Sequence, residues 1–414
     1  MTPGDGPRVS LAALRTPGGE RGFVLLLGAL VAFGPMSIDL YLPALPAIAR
    51  GLGCTMDVAQ LTVTVFLAGF CVGMLCYGPL SDRFGRRPVL LGGIAMFVAA
   101  SLACLLASSI QGLIVARLFQ ALGGGAASVL ARAVVRDVYA PTEAIRKLSL
   151  MAMVTAVAPL LAPLVGSAVT AWGGWRASFA VLLLWGLACL AAAARHLPET
   201  LAPEMRIGHG ARDALLAYRR MLGDPSAIGL VIAGGMSFAA MFAYITGGPF
   251  YFIELNGFSP TAYSLIFSLN AIAIFLANYA NSRLIRRCGP LRMVGTGCAI
   301  GLAAAALLPI VDSRPHAFIV ALFPVVGMTG LLGANCVGLL MQHHGRHAGA
   351  AAALFGAGQF GFGVLASGLV GVLYDGSGRP MAWVMLGTSL LSGGGFLLYR
   401  ARAGGRAVGP PAPS

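Results

Sequence analysis

The chain reads as an all-α integral membrane protein of twelve transmembrane helices, arranged as two pseudo-symmetric six-helix bundles. Three observations carry that reading. Of the 414 residues, 58% are apolar and only 10% are charged, against about 25% charged in a soluble globular domain. The mean hydropathy is +0.84. Apolar runs of about 20 residues, the length that crosses a hydrocarbon core, recur along the whole chain. Between them, basic residues gather at alternate links.

The runs fall at 22–43, 58–80, 89–107, 110–131, 148–170, 175–195, 227–249, 261–282, 292–311, 317–341, 349–373 and 381–400. The first starts at Gly22 and is too long for a cleaved signal peptide. No small-residue cleavage site follows it, so it is expected to stay as an anchor. Gly34-Pro35 should loosen it, because proline removes a backbone donor. The second and third runs are joined by Gly78-Pro79-Leu80-Ser81-Asp82-Arg83-Phe84-Gly85-Arg86-Arg87-Pro88, read as a tight charged turn. So short a link returns the chain to the side it left. The sixth run ends in a polar stretch, 196–226, with Pro198, Pro203, Gly208 and Gly210. Within it, Asp213–Arg220 suits an amphipathic helix on the membrane face. Beyond it the pattern repeats. The link after the eighth run, Asn281-Ser282-Arg283-Leu284-Ile285-Arg286-Arg287-Cys288-Gly289-Pro290, mirrors the one after the second, but without its acid. Such a repeat of two six-helix halves is a known transporter pattern. The expected division is 1–195 for one half, 196–226 for a central loop, 227–402 for the other half and 403–414 for a disordered tail.

The net charge of +14 follows the topology. With both termini inside, twenty-three of the 28 Arg and Lys lie on the cytoplasmic side. Arg50, Arg176, Arg314 and Arg379 lie outside, and Arg117 lies within a span. This is the positive-inside rule, and it explains the basic charge without nucleic acid. The 8 cysteines form no metal-type pair and read as small buried apolar residues. His343, His344 and His347 sit by Arg346 without a carboxylate or thiol and read as a solvated loop. The abundance of glycine, 57 residues, allows close helix contacts.

These residues carry a resemblance. The run from Gly78 to Arg87 resembles the G-x-L-x-D-R-x-G-R-R signature of the major facilitator superfamily. Arg117-Leu118-Phe119-Gln120-Ala121-Leu122-Gly123-Gly124 resembles its R-x-x-Q-G motif, with Ala121 for the first glycine. Met36-Ser37-Ile38-Asp39-Leu40-Tyr41-Leu42-Pro43-Ala44-Leu45-Pro46 and Arg132–Asp137 are similar to the Bcr/CflA group of bicyclomycin-resistance and chloramphenicol-export proteins. The G-P-x-x-G-G pattern of drug antiporters reads here Ala162-Pro163-Leu164-Val165-Gly166-Ser167, with small residues kept. The resemblance implies the major facilitator fold, a bacterial inner membrane, and multidrug efflux of small drug-like molecules by proton antiport. Its implied partners are the drug, protons and membrane lipid, with no cofactor, and a monomer is expected.

Asp39 and Arg117 are the full charges set well inside spans. A charge at bilayer depth costs roughly 2.5–3.5 kcal/mol on insertion scales, so each is expected to face a cavity or a partner. Counting ~1.5 Å per residue puts them at compatible depths, and the pair is taken as the proton and substrate site. Burial disfavours the carboxylate and a nearby arginine favours it. A cationic or polar drug would compete with the proton for Asp39, while Arg117 orients it. A static ion pair between spans one and four is the structural alternative. Tyr41, Phe66, Gln120, Tyr244, Asn270, Asn335 and Gln359 are candidate cavity-lining residues. Phe250 and Phe360 are further aromatics, and Gln60 and Asn278 further amides, although amides also serve as packing glue. The family pattern implies a conformational latch from Gly78, Asp82, Arg83, Gly85, Arg86, Arg136 and Asp137. In it Asp82 meets the start of span eleven near Gly349, and Arg86 pairs with Asp137.

A transporter of one small metabolite on the same fold is the alternative within transport. A receptor would need a soluble output domain, and a membrane enzyme would need a convergent catalytic set. Neither is found. No Walker loop or nucleophile elbow occurs, so the chain is not expected to be an enzyme or an ATP-driven pump.

Overall fold

The computed structural model describes residues 19–201, 216, 218–344 and 348–406. All its regular structure among these residues is helical. The helices are α1 (Glu20–Val31), α2 (Phe33–Asp39), α3 (Leu45–Gly51), α4 (Met56–Phe84), α5 (Arg86–Leu105), α6 (Ile110–Val138) and α7 (Pro141–His196). They continue as α8 (Pro225–Pro249), α9 (Pro260–Leu307), α10 (Pro315–His343), α11 (Ala348–Val372) and α12 (Arg379–Arg406). A 3-10 turn, Leu42–Ala44, lies between α2 and α3, and a π-helical turn, Phe250–Leu255, follows α8.

Among the described residues nine helices are long and apolar enough to cross a membrane, or ten if α1–α3 form one bent span. That bend is 45°. It falls at Ala32, three residues before Pro35, whose missing N–H frees the carbonyl one turn earlier. Two of the long helices are broken inside by a glycine with positive φ: Gly174 in α7 (φ 70°) and Gly289 in α9 (φ 74°). These are the places where the sequence puts links between spans five and six, and between eight and nine.

Two expectations change. The charged link 78–88 is not a turn. Helix α4 runs on through Pro79 to Phe84, and the reversal takes place at one residue, Gly85, with φ 96°. Left-handed or mirror-extended backbone of that kind suits glycine alone. The last helix extends to Arg406, so the stretch 403–406 is helical rather than a disordered tail. Residues 407–414, most of the central loop and His347 lie outside the described residues.

The chain forms two compact units. The first is Met1–Arg212 with Phe258–Ser268, and the second is Asp213–Gly257 with Leu269–Ser414. The start of α9 thus groups with the first unit, where the Ser264 and Ser268 hydroxyls donate to the carbonyls of Pro163 (2.9 Å) and Leu160 (2.7 Å).

Small residues set the helix spacing within each unit. In the first, a Cβ on Gly123 would lie 2.5 Å from the Phe97 nitrogen. The α5–α6 crossing is therefore backbone on backbone, the usual means of close approach in membranes. The methyl of Ala121, which stands where the R-x-x-Q-G motif has glycine, faces Gly69 of α4. A Cβ there would meet it at 2.9 Å, so Gly69 makes the room that Ala121 takes. In the second unit Gly229 and Gly395 bring α8 and α12 together in the same way. Its core gathers Leu230, Cys336, Leu340, Phe355 and Tyr399.

Candidate functional site

Asp39 is the last residue of α2, just before the chain leaves helical form for the 3-10 turn. It is 4% exposed. Among the described residues its carboxylate makes neither a hydrogen bond nor an ion pair. A carboxylate there also meets the negative end of the helix dipole.

Arg117, on α6, is fully buried. One guanidinium nitrogen donates to the carbonyl of Ser37 (3.0 Å) in the last turn of α2 and to Gln120 Oε1 (2.6 Å) one turn along α6. Gln120 Nε2 donates in turn to Ser101 Oγ (2.8 Å), and Ser101 to the Phe97 carbonyl (2.7 Å). The guanidinium lies over the rings of Tyr41 and Phe66, 4.2 Å from each. The rings cover the nitrogens that find no protein acceptor, and a desolvated contact of this kind is worth about 2 kcal/mol. The Tyr41 hydroxyl is shared with Thr62 at 3.1 Å. The static ion pair between Asp39 and Arg117, the structural alternative, is therefore not made. Arg117 caps the broken first span, because the helix ending at Asp39 leaves carbonyls in need of donors. Gln60 on α4 is 1% exposed, and neither of its amide atoms is bonded to protein.

The other cavity candidates lie in the second unit, where Tyr244, Asn270 and Asn335 are buried. Asn270 Nδ2 donates to the Tyr244 hydroxyl at 3.4 Å. Asn335 Nδ2 donates to Asn281 Oδ1 and to the Leu331 carbonyl, both at 2.8 Å. That makes Asn335 a tie between α9 and α10, the packing role that amides often take in membranes. Gln359 is half-buried beside Gly333. Phe360 packs with Phe238 and Phe242, whereas Phe250 packs with Tyr374.

Three residues of the expected latch, Asp82, Arg86 and Asp137, form a network within the first unit. Arg86 Nη1 reaches Asp82 (2.6 Å) and Ser81 Oγ (2.5 Å), and its Nε reaches Asp137 (2.9 Å). The Arg86–Asp137 pair is as the sequence suggested. Two members were missed. Glu199 accepts from the backbone N–H groups of Arg86 (2.9 Å), Arg87 (3.3 Å), Thr200 (3.0 Å) and Leu201 (3.0 Å), so it caps α5. Thr200 Oγ1 donates to Asp137 (3.2 Å). A lone acid straight after Pro198, at the end of an apolar run, was the available signal. Arg83 is exposed over the Phe84 ring, and Arg136 is exposed without an ion pair among the described residues. A side chain at Gly78 would meet nothing within 4 Å, so only Gly85 has a backbone reason to be glycine.

The surviving glycine of the span-five pattern has a clear purpose. A Cβ on Gly166 would overlap the Leu40 carbonyl oxygen, next to Asp39. Ser167 turns its hydroxyl back to the Leu164 carbonyl (3.0 Å), so it replaces a glycine without leaving a free polar group. His344 is half-buried, with Nε2 3.7 Å from Asp224, not a solvated loop residue. Among the described residues no group of His, Cys, Asp or Glu is placed to hold a metal. The cysteines divide between buried and partly exposed positions, Cys76 being exposed.

Among the described residues, apolar helices in two units, with a buried charged centre and a charged network at a basic link, define a polytopic membrane protein. The sequence pattern of the Major Facilitator Superfamily matches residues 25–366, and the chain belongs to that family, whose members are transporters and not enzymes. It is 32% identical to the "Uncharacterized MFS-type transporter YdgK" of Bacillus subtilis over 94% of this chain and 99% of that one. It is 29% identical to a bicyclomycin resistance protein homolog of Haemophilus influenzae, over 88% and 92% of the two chains. It is also 38% identical to a chloramphenicol resistance protein of Pseudomonas aeruginosa, over 70% and 68%. Among solved structures, a D-xylose-proton symporter superposes with a TM-score of 0.69 at 15% identity, covering 91% of this chain and 97% of that one.

Proposed function

We propose that the protein exports small drug-like molecules across the bacterial inner membrane in exchange for protons, acting as a monomer. The observation that carries this reading is Asp39, a buried carboxylate without a partner at the break of the first span. An unpaired charge at bilayer depth costs several kcal/mol. Binding a proton removes it, and so does pairing with a cationic or polar group of a substrate. The two therefore compete for one carboxylate, which is the requirement for exchange. Arg117, held by Ser37 and Gln120, fixes the backbone next to Asp39 rather than neutralising it. Gln60, with its unbonded amide, offers a polar contact on the neighbouring helix. The relatives named for bicyclomycin, chloramphenicol and multidrug resistance support the substrate class. The Asp82–Arg86–Asp137–Glu199 network belongs to the latch in this reading. Asp82, more exposed than Asp137, is free to engage a partner outside the network.

The test is expression in an efflux-deficient bacterium, wild type beside Asp39→Asn. Raised resistance to several antibiotics in the wild type, lost in the variant at equal expression, is the expected outcome. Full resistance in Asp39→Asn would overturn the role of Asp39. Uptake or release of a single metabolite, with no change in drug tolerance, would favour the metabolite transporter instead.

A further inference from the structure

The two basic links of the chain share a backbone and differ in what surrounds it. Each is helical up to one glycine of nearly the same conformation, Gly85 (φ 96°, ψ 154°) and Gly289 (φ 74°, ψ 157°). A new helix starts after each. In the first link that start is met by an anion. The Glu199 carboxylate accepts from the N–H groups of Arg86 and Arg87, while Asp82 and Asp137 hold the Arg86 side chain.

In the second link no described carboxylate takes these places. Arg283, Arg286, Arg287 and Arg292 are all exposed, and none forms an ion pair among the described residues. Of the four, Arg283 alone makes a side-chain hydrogen bond or ring contact among the described residues, with the hydroxyl (2.9 Å) and ring of Tyr279. Arg283, Arg286 and Arg287 stand three and four residues apart, so like charges share a helix face and repel. Arg292 stands in the first turn of the next helix, where the dipole already disfavours a cation and favours an anion. Among the described residues, four arginines and a helix start lack the acid that the first copy supplies. Beside them the apolar side chains of Tyr279 (53%), Leu284 (43%) and Leu291 (39%) are exposed.

A soluble anion satisfies the charge but not this apolar surface. A lipid satisfies both, with its headgroup phosphate on the arginines and its chains along the apolar residues. We infer that the link Asn281–Arg292 is a binding site for the headgroup of an anionic glycerophospholipid. The charge bias puts it at the inner leaflet, where such lipids attract juxtamembrane arginines. This inference does not depend on the export reading.

The test uses the purified full-length protein, with melting temperature followed as phosphatidylglycerol or phosphatidylcholine is titrated into detergent micelles. The comparison is with a fourfold variant, Arg283→Gln, Arg286→Gln, Arg287→Gln and Arg292→Gln, and with a control, Arg400→Gln and Arg402→Gln, at two exposed arginines elsewhere. Phosphatidylglycerol is expected to raise the melting temperature of the wild type and the control. Its apparent affinity should fall roughly five-fold per arginine removed at the link. An equal response in the fourfold variant overturns the site. So does an equal response to phosphatidylcholine, or the same rise from inorganic phosphate alone. If the fourfold variant does not insert, Arg287→Gln and Arg292→Gln are compared singly, each with a five-fold loss expected and no loss counting against the site.

Discussion

Arg117 shows how a buried charge is tolerated at the scale of one residue. It is sandwiched between Tyr41 and Phe66 and bonded to a helix-end carbonyl and to Gln120. The planar guanidinium does both at once, which a compact ammonium cannot. Arg117→Lys is therefore expected to destabilise the first unit by about 2 kcal/mol or more, through lost stacking and a lost charge-assisted bond. The measurement is a denaturant unfolding curve in detergent, and an unchanged midpoint would refute the capping role. Asp39→Asn should behave in the opposite way. With no partner to lose, it should leave stability within about 0.5 kcal/mol of the wild type while removing the response of transport to a proton gradient, assayed by pH jump in proteoliposomes. This split separates a proton-binding group from a structural one.

At the scale of the element, two places depend on close geometry. Gly166 of α7 touches the Leu40 carbonyl at the broken first span. Backbone cannot yield as a flexible side chain does, so Gly166→Ala is expected to cost about 1–3 kcal/mol through overpacking. Ser167→Gly beside it should cost far less. Parallel melting curves of the two variants decide the point, and equal losses would show that the contact is not limiting. The start of α5 is the second place. Glu199→Gln keeps the size but loses the charge and one acceptor, so the cap over Arg86 and Arg87 weakens by about 0.5–2 kcal/mol. Glu199 meets the backbone N–H of Arg86 whereas Asp137 meets its guanidinium, so this loss should persist in an Arg86→Gln background. A double-mutant cycle in which the loss vanishes would show that Glu199 acts through the Arg86 side chain rather than as a cap.

The charge pattern governs the whole molecule. The basic links at Gly85 and Gly289 are expected on one side of the membrane, and the link at Asp312-Ser313 on the other. Alkaline phosphatase joined after Ser313 should therefore be active, and phosphatase joined after Cys288 inactive. The reverse pattern would invert the orientation and leave the fold untouched. The two units also differ in their polar groups. The first holds the buried charges and the acid-rich link. The second is tied by neutral amides, as at Asn335 and Asn281, and its own basic link lacks acids. A repeat can thus keep its backbone while its chemistry diverges.

Apolar run length and the alternating basic links made the helical membrane class and the two halves legible from sequence alone, whereas the Arg86–Asp137 pair came only through the family resemblance. Those features are local or periodic, and bilayer thickness and the positive-inside rule act on them directly. The sequence also singled out Asp39 and Arg117, because a charge inside an apolar run stands out. It did not show that the two are unpaired, that Arg117 caps a broken helix, or that Glu199 reaches Arg86 across 113 positions. Those outcomes depend on which orphan carbonyl or N–H group lies within hydrogen-bonding distance of each charge. Only the packing of α2 against α6, and of the segment after α7 against α5, brings such groups together.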